Sequence, residues 1–246
     1  MLEFFKKKQV GPSKTVSEKR IKDFQEIYNS FSNDQSIDQA SRCSQCGIPY
    51  CQIHCPLNNN IPDWLKYIAE DRLEEAYEIS SSTNAFPEVC GRVCPQDRLC
   101  EGNCVVEKAG FGSITIGSLE KHITETAWEK GWIKPIVSSK KQNQKVAIIG
   151  SGPAGLAAAT YLIEYGYDVE VFEKNDRIGG LMIYGIPNFK LDKSVVIRRH
   201  EWLKESGVIF HTNCEVGKDI TFDDLEKNFD AILISTGVYK ARSLDL

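Results

Sequence analysis

The chain has 246 residues, and its 34 acidic and 30 basic side chains give a formal net charge of −4. Nucleic acids and anionic membranes attract concentrated lysine and arginine, so this slightly acidic balance argues against both as partners. The length suffices for one large domain or two modest ones, each with a buried core.

The N-terminal residues predict neither a targeting signal nor a membrane anchor. Residues 1–8 are too poor in apolar side chains for a signal peptide. No apolar run in the sequence approaches the ~18 residues that cross a bilayer. We therefore expect a cytoplasmic protein.

Hydrophobic periodicity predicts three helices in the first half of the chain. The first covers Ser17–Phe31, with apolar positions three to four residues apart. The second starts at Pro62, a residue that suits a first helical turn, and runs to about Ile79. The third covers Ser118–Lys130. The polar segment that follows, Pro135–Gln144, is typical of a linker, so we predict one domain over 1–140 and another over 141–246.

Cysteine is the unusual residue of this composition, because eight of the nine cysteines lie within residues 43–104. In a reducing cytosol, closely spaced cysteines are more often metal ligands than disulfide partners. The eight form two groups, which are Cys43, Cys46, Cys51 and Cys55, and Cys90, Cys94, Cys100 and Cys104. The ninth, Cys214, lies in an alternating apolar stretch and is interpreted as a buried structural thiol.

Each group contains one cysteine that precedes a proline, Cys55 in the first and Cys94 in the second. Bacterial ferredoxins share this feature: three cysteines hold one [4Fe–4S] cluster and the fourth, before proline, crosses to another cluster. The pattern therefore predicts two [4Fe–4S] clusters. The first would be held by Cys43, Cys46, Cys51 and Cys104, and the second by Cys55, Cys94, Cys100 and one further ligand.

The further ligand stays open on the ferredoxin pattern alone. Cys90 is the chemical default, because iron in these clusters prefers thiolate. His54 lies between two cysteines but is interpreted as a bystander. Two zinc sites are the alternative to clusters, although only Cys43 and Cys46 have the two-residue spacing of structural zinc ligands. Brown colour after anaerobic purification distinguishes the two hypotheses.

A dinucleotide-binding unit is predicted after the linker. Strand Lys145–Ile149 leads into the sequence Gly150-Ser-Gly-Pro-Ala-Gly155, then into an alanine-rich helix and a second strand, Asp168–Glu173. These glycines allow a tight turn, close backbone approach to a pyrophosphate, and close packing of helix on strand. Glu173 is placed to accept hydrogen bonds from an adenosine ribose, which suits FAD or NAD better than NADP.

Two later features favour FAD. Arg177–Gly180 brings further glycines close behind Glu173, and Asp230–Gly237 is predicted as a buried strand that ends in a small polar turn. A second GxGxxG is lacking after Glu173, so a second dinucleotide domain does not fit. The predicted cofactor-binding residues are Gly150, Gly152, Pro153, Ala154, Gly155, Glu173, Lys174, Gly180, Leu181, Thr236 and Gly237.

Several segments together resemble one family. They are Cys55–Pro62, Cys90–Gln96, Ile114–Glu120 and Gly185–Pro187, combined with the two cysteine groups and the glycine turn. From about Asp38 onward the chain is similar to the small (beta) subunit of NADPH-dependent glutamate synthase. It is also similar to the N-terminal part of dihydropyrimidine dehydrogenase and to the large subunit of NADH-dependent ferredoxin–NADP oxidoreductase.

The resemblance implies an α-helical N-terminal domain with two [4Fe–4S] clusters, then a partial α/β Rossmann-like domain that binds FAD. It implies that the open ligand is a side-chain oxygen at Glu120, with the cysteine matching Cys90 left spare. Dihydropyrimidine dehydrogenase has glutamine at the position of Glu120. We therefore expect Glu120 as the ligand and keep Cys90 as the alternative.

Family members continue past residue 246, through an inserted NADPH domain and the rest of the flavin domain. We expect this chain to be either part of a longer protein or a short protein that a partner completes. In both cases we expect no NADPH oxidation by the chain alone.

The resemblance further implies an electron-transfer subunit. NADPH passes hydride to FAD, and electrons then move singly through the clusters to a large (alpha) subunit that reduces 2-iminoglutarate to glutamate. Flavin and clusters carry this chemistry, so no catalytic residue is assigned to the chain. The alternatives are a related oxidoreductase that serves ferredoxin, sulfur compounds or pyrimidines, and a non-catalytic electron-relay module.

Overall fold

The computed structural model describes residues 1–238, which divide into two units. The first unit contains Met1–Lys134 together with Pro187–Asp192, and the second contains Pro135–Ile186 and the chain from Lys193 onward. The predicted domains, 1–140 and 141–246, are separated by a single cut. In the structure, a short segment from the second predicted domain belongs to the first unit.

The first unit is built from helices. After a 3₁₀ turn at Glu3–Phe5 they are α1 (Ser17–Asp23), α2 (Asn33–Ala40), α3 (Tyr50–Ile53), α4 (Ile61–Ala69), α5 (Leu73–Ser81), α6 (Pro87–Val93), α7 (Val105–Lys108) and α8 (Ile116–Glu129). Trp64 and Leu65 of α4 lie in one hydrophobic core with Leu119 and Ile123 of α8. The helix predicted over Ser118–Lys130 is confirmed as α8.

The helix predicted from Pro62 to Ile79 is wrong as a single element, because the structure has two helices there. Asp71 adopts a left-handed backbone conformation (φ 60°) between the end of α4 and the start of α5. Aspartate tolerates this conformation because its short side chain can make local hydrogen bonds. The carboxylate of Asp71 also accepts a hydrogen bond from Asn33 Nδ2 at 2.7 Å, which holds the turn to α2.

The helix predicted over Ser17–Phe31 is also too long. Helix α1 ends at Asp23, and Phe24 takes a left-handed conformation (φ 52°). Ile21 and Phe24 are exposed rather than buried. Beyond the break, Tyr28 forms an isolated antiparallel bridge with Lys14. The apolar spacing in this segment therefore does not mark a core-facing helical stripe.

The second unit is a parallel sheet with flanking helices. Its elements are β1 (Lys145–Ile149), α9 (Pro153–Glu164), β2 (Asp168–Phe172), α10 (Leu181–Tyr184), α11 (Lys193–Glu205), β3 (Ile209–His211), α12 (Phe222–Asn228) and β4 (Ala231–Ile234). The strand order is β3-β2-β1-β4. Strand β1 is central, with Ile148 in register with Val171 of β2 and Leu233 of β4. The predicted α/β class of this region is confirmed.

Strand β4 forms one edge of the described sheet. Its presence confirms the strand predicted near Asp230, but the prediction that it is buried is wrong: Leu233 is 38% exposed and Ile234 is 63% exposed. An edge strand has a neighbour on one side only, so apolar side chains along it are less covered than those of a central strand.

Cys214 is half-buried and packs against the small core that contains Ala147, Phe172 and Leu225.

None of the helices within residues 1–238 combines the length and apolar character that crossing a membrane requires.

Candidate cofactor sites

Four cysteines line one cavity of the helical unit. They are Cys43, which follows α2, Cys46, Cys51 in α3, and Cys104, which precedes α7. The left-handed backbone of Gln45 (φ 51°) turns its backbone N–H and its side-chain amide toward Cys43 Sγ, at 3.5 and 3.4 Å. The sulfur of Cys43 is thus surrounded by donors that stabilise a thiolate.

Two thiols of this first cavity, Cys43 and Cys51, resist ionisation when no positive charge is near. Burial raises the pKa of Cys43. Burial, together with the charges of Cys43 and Cys104, raises the pKa of Cys51 to about 12. A bound metal centre removes this cost, because it takes the thiolate as a ligand and releases the proton. Four thiols around one cavity therefore fit a metal cluster in chemistry and in number.

The remaining clustered cysteines line a second cavity, of about 210 Å³, in the same unit. It contains Cys55, Cys90, Cys94, Cys100 and the carboxylate of Glu120 from α8. Burial raises the pKa of Cys100, and the nearby charges of Glu101 and Glu120 add to this effect.

Among residues 1–238, no three cysteine, histidine or acidic side chains converge as they would around a single metal ion.

The pKa values of Cys90 and Cys94 shift in opposite directions although both thiols line the second cavity. The Cys90 thiol donates a hydrogen bond to Cys94, which lowers the pKa of Cys94 to about 7 and raises the pKa of Cys90. The Cys90 sulfur also lies 3.6 Å from Asn84 Oδ1. Of the two thiols, Cys94 therefore ionises more readily than Cys90.

Glu120 is a buried carboxylate in the wall of the second cavity, with 8% of its surface exposed. Burial raises its pKa to about 8, against the effect of a 3.0 Å hydrogen bond from Asn84 Nδ2. Asn84 thus contacts both candidates for the open ligand position, Cys90 and Glu120. Sequence reasoning missed Asn84, because a lone asparagine in a polar stretch carries no motif.

The two cavities separate the predicted metal ligands into the two groups expected from the ferredoxin pattern. Cys104, which is remote in sequence, lies with Cys43, Cys46 and Cys51, whereas Cys55 lies with the second group. His54 lines neither cavity; its ring stacks on Tyr50 at a centroid distance of 6.3 Å. The individual ligand roles stay predictions.

The glycine turn of the second unit is held by close backbone contacts. A Cβ atom on Gly155 would lie 2.1 Å from the carbonyl oxygen of Gly150, and Gly150 itself has a positive φ of 101°. At Gly152, in contrast, a Cβ atom would have no protein atom within 4 Å. The turn therefore packs on itself at Gly150 and Gly155 and leaves space at Gly152, where the N-terminus of α9 starts.

Glu173 has both oxygens occupied by protein donors. One oxygen accepts from the backbone N–H and the hydroxyl of Ser151, at 3.0 and 2.6 Å, and the other accepts from the backbone and side chain of Asn175. Burial raises the pKa of Glu173, but these bonds outweigh burial and leave the pKa lowered. Glu173 thus links the glycine turn to the end of β2, a role the sequence did not indicate.

The other predicted cofactor residues surround the same turn. A Cβ on Gly180 would lie 2.7 Å from Gly152 Cα, so these two glycines pack together. The hydroxyl of Ser235 donates to the carbonyl of Gly150, which places the end of β4 beside the turn. Exposed residues at this edge of the unit are Pro153, Ala154, Lys174, Leu181, Thr236 and Gly237.

Two family models match the chain. One is described as dihydropyrimidine dehydrogenase domain II with a 4Fe-4S cluster and matches residues 20–132. The other is an NAD(P)-binding Rossmann-like domain and matches residues 148–195. The first match spans all eight clustered cysteines and Glu120. The second spans the glycine turn and Glu173.

Curated relatives extend this result over nearly the whole sequence. The glutamate synthase [NADPH] small chain of Azospirillum brasilense is 56% identical over 99% of this chain and 51% of its own length. The chain belongs to the glutamate synthase small-chain family. The small chain of Escherichia coli K12 is 47% identical over 97% of this chain and 50% of its own length.

A relative outside the named small chains is the putative oxidoreductase AegA of Escherichia coli K12, which is 44% identical over 96% of this chain and 36% of its own length. The chain spans about half the length of the curated small chains that it matches. Family membership therefore applies to the iron–sulfur domain and the Rossmann-like region that this chain contains.

Proposed function

We propose that this chain forms the iron–sulfur and flavin-binding part of an electron-transferring glutamate synthase small chain. The observation that carries the proposal is the separation of eight cysteines and Glu120 into two cavities of one helical unit. The thiols that line each cavity are soft ligands of the kind that hold a [4Fe–4S] cluster. Membership of the small-chain family supports the same function.

The first cluster is assigned to Cys43, Cys46, Cys51 and Cys104, and the second to Cys55, Cys94, Cys100 and Glu120. Cys90 is the alternative to Glu120. In the preferred arrangement Cys90 keeps its proton and donates to Cys94, which supports a thiolate at Cys94. Hydrogen bonds of this kind to cluster sulfurs tune the reduction potential.

The glycine turn of the second unit is assigned to FAD. Gly152 leaves space for a pyrophosphate at the N-terminus of α9, where backbone N–H groups of the first turn face outward. The other assigned residues are Gly150, Pro153, Ala154, Gly155, Glu173, Lys174, Gly180, Leu181, Thr236 and Gly237. A hydrogen bond from the ribose to Glu173 would replace one of the bonds that Ser151 and Asn175 now make.

When bound, FAD accepts hydride and the clusters carry single electrons. The residues of this chain bind and orient these groups and exclude water from them. Buried apolar side chains, including Trp64 and Ile116 in the second cavity and Leu65 in the first, provide that exclusion. In the intact enzyme NADPH is the proposed electron source and the large (alpha) glutamate synthase chain the acceptor.

Removal of one second-cavity thiolate tests this function in the full-length protein. We expect Cys94→Ala to retain reduction of the flavin by NADPH but to lose NADPH-dependent glutamate formation with the large chain. The control is Cys214→Ala, because Cys214 lies outside both cavities, and it should retain both activities. Glutamate formation by Cys94→Ala at the wild-type rate would contradict the proposed route.

The relationship to AegA favours one alternative, an oxidoreductase with the same cofactors and another electron acceptor. The same experiment separates the two functions. An intact protein that reduces both cavity clusters with NADPH, but does not support glutamate formation with the large chain, has another acceptor.

A further inference from the structure

A run of twenty residues around the first cysteine group carries no charged side chain. No aspartate, glutamate, lysine or arginine occurs within residues 43–62, although these four types make up 26% of the chain. A surface segment normally carries charges, because they keep it solvated and prevent association. The absence of charge therefore matters only if the segment reaches the surface.

The structure places much of this run at the surface. Four of its large apolar residues are exposed, namely Ile48 (61%), Tyr50 (46%), Ile53 (56%) and Leu57 (44%). They lie within ten residues of each other, on and beside α3. We call these four residues the uncharged face. Depletion of charge together with an exposed aromatic residue is the composition of an interface core rather than of ordinary surface.

Two residues of the uncharged face also line the cysteine-lined cavities. Tyr50 lines the first cavity and Leu57 lines the second, and both side chains are exposed. One layer of side chains thus separates solvent from each cavity at this face. Electron transfer through protein slows steeply with distance, so an acceptor that docks here has a short path from a cluster held in either cavity.

We propose that the uncharged face is the docking surface for the redox protein that exchanges electrons with this chain. This proposal rests on the proposed function, because it requires clusters in the cavities. The expected partner carries a one-electron acceptor, a flavin or an iron–sulfur cluster, beneath an apolar surface that is equally poor in charge. A second copy of this chain fits less well, because it would join like centres and provide no exit for electrons.

Docking through apolar side chains predicts a characteristic salt dependence. Ion pairs at an interface weaken as salt screens them, whereas contacts between uncharged side chains do not. Affinity of the full-length small chain for the large glutamate synthase chain should change less than about threefold between low and high salt, because counter-charges are absent from the face. A steep loss of affinity with salt would overturn the proposal.

Substitution of the face provides the direct test. Ile48 and Ile53 line neither cavity, so the double variant Ile48→Lys/Ile53→Lys changes the face without touching a proposed ligand. In the full-length, cofactor-loaded protein we expect binding to the large chain to weaken about tenfold or more, since two charges would be buried. Reduction of ferricyanide by NADPH should stay within about twofold of wild type, because this small acceptor needs no docking surface.

The matched control is Val10→Lys/Ile21→Lys, which places two lysines on equally exposed apolar positions of the same unit. It should bind the large chain as the wild type does. Equal binding by the Ile48/Ile53 variant, or equal loss in the control, overturns the docking surface while leaving the proposed function intact. Self-association of the wild type that only the Ile48/Ile53 variant abolishes also overturns it. Absence of clusters from the wild-type protein would contradict the proposed function. It would also overturn the docking surface, which requires those clusters.

Discussion

Asn84 connects the two residues that compete for the open position of the second cavity. Its Nδ2 donates to Glu120 Oε1 at 3.0 Å, and its Oδ1 lies 3.6 Å from the sulfur of Cys90. The side chain therefore holds the carboxyl group of Glu120 in the cavity wall and lies beside the sulfur of Cys90. This arrangement favours an oxygen ligand from Glu120 and a structural role for Cys90.

Iron counting separates the two candidates. We expect Glu120→Ala to lose up to roughly half of the protein's iron and sulfide, because one of two clusters loses a ligand. Cys90→Ala should retain the iron and shift the reduction potential of the second cluster, since the hydrogen bond to Cys94 is lost. Wild-type iron content in Glu120→Ala together with iron loss in Cys90→Ala would assign the ligand to Cys90.

Alanine at two glycines should have opposite consequences for the second unit. Gly152→Ala adds a Cβ that meets no protein atom, so it should leave folding unchanged and weaken FAD binding. Gly155→Ala places a Cβ 2.1 Å from the Gly150 carbonyl and should destabilise the turn itself. Thermal unfolding and flavin content of both variants check this. Full flavin content in a folded Gly152→Ala protein would contradict the assignment of the turn to a pyrophosphate.

A buried ion network should stabilise the helical unit. Arg92 is 6% exposed and donates to Glu26 at 2.6 Å and to Glu125 at 2.9 Å. We expect Arg92→Ala to lower the free energy of unfolding by about 3 kcal/mol, because Glu26 and Glu125 each lose a buried charged donor, although Lys121 still pairs with Glu26. The control Arg98→Ala removes an 84% exposed side chain and should cost less than about 0.5 kcal/mol. Urea unfolding followed by tryptophan fluorescence measures both, and equal costs would contradict the network's role.

The same network predicts a pH dependence with a definite sign. Burial raises the pKa of Glu26, but the charges and hydrogen bonds of Arg92 and Lys121 outweigh burial and leave it below its ordinary value of 4.5. A lowered pKa stabilises the folded state at all pH values above the unfolded pKa and ceases to do so as the pH falls through the folded pKa. The stability difference between wild type and Glu26→Gln should therefore be constant from neutral pH to about pH 5 and shrink below 4.5. A difference that shrinks already near neutral pH would refute the lowered pKa.

The sequence predicts the cofactor chemistry of the sites better than the turns and side chains that position the candidate ligands. The ferredoxin pattern predicts that Cys55, which precedes a proline, joins the second group, and Cys104 is then predicted to complete the first. Strand, glycine turn and second strand follow one another in sequence, so the second unit was also predictable. Hydrophobic periodicity did not predict the helix breaks at Asp71 and Phe24. At each position a single residue with a left-handed backbone conformation interrupts the predicted helix, and neither residue is a glycine or a proline.

Long-range partners could not be predicted for a different reason. Glu173 matches a ribose-binding position in the motif, yet two of its four hydrogen bonds come from Ser151, 22 residues earlier in the chain. Asn84 and Glu120 are separated by 36 residues in sequence. No local sequence pattern predicts this hydrogen bond or the bonds between Ser151 and Glu173. The segment Pro187–Asp192 joins the first unit through bonds such as that from the Asp192 backbone N–H to Glu26. Such contacts depend on tertiary packing, which composition and spacing do not encode.

The most direct measurement of the central claim is the metal content and visible absorption of the protein after anaerobic purification. Two [4Fe–4S] clusters predict a brown protein with about eight iron and eight sulfide per chain, and roughly half of each should be lost when Cys51→Ala opens the first cavity. A colourless protein that contains stoichiometric zinc, or iron that is unchanged in Cys51→Ala, would contradict the claim that the two cysteine-lined cavities hold electron-transferring clusters.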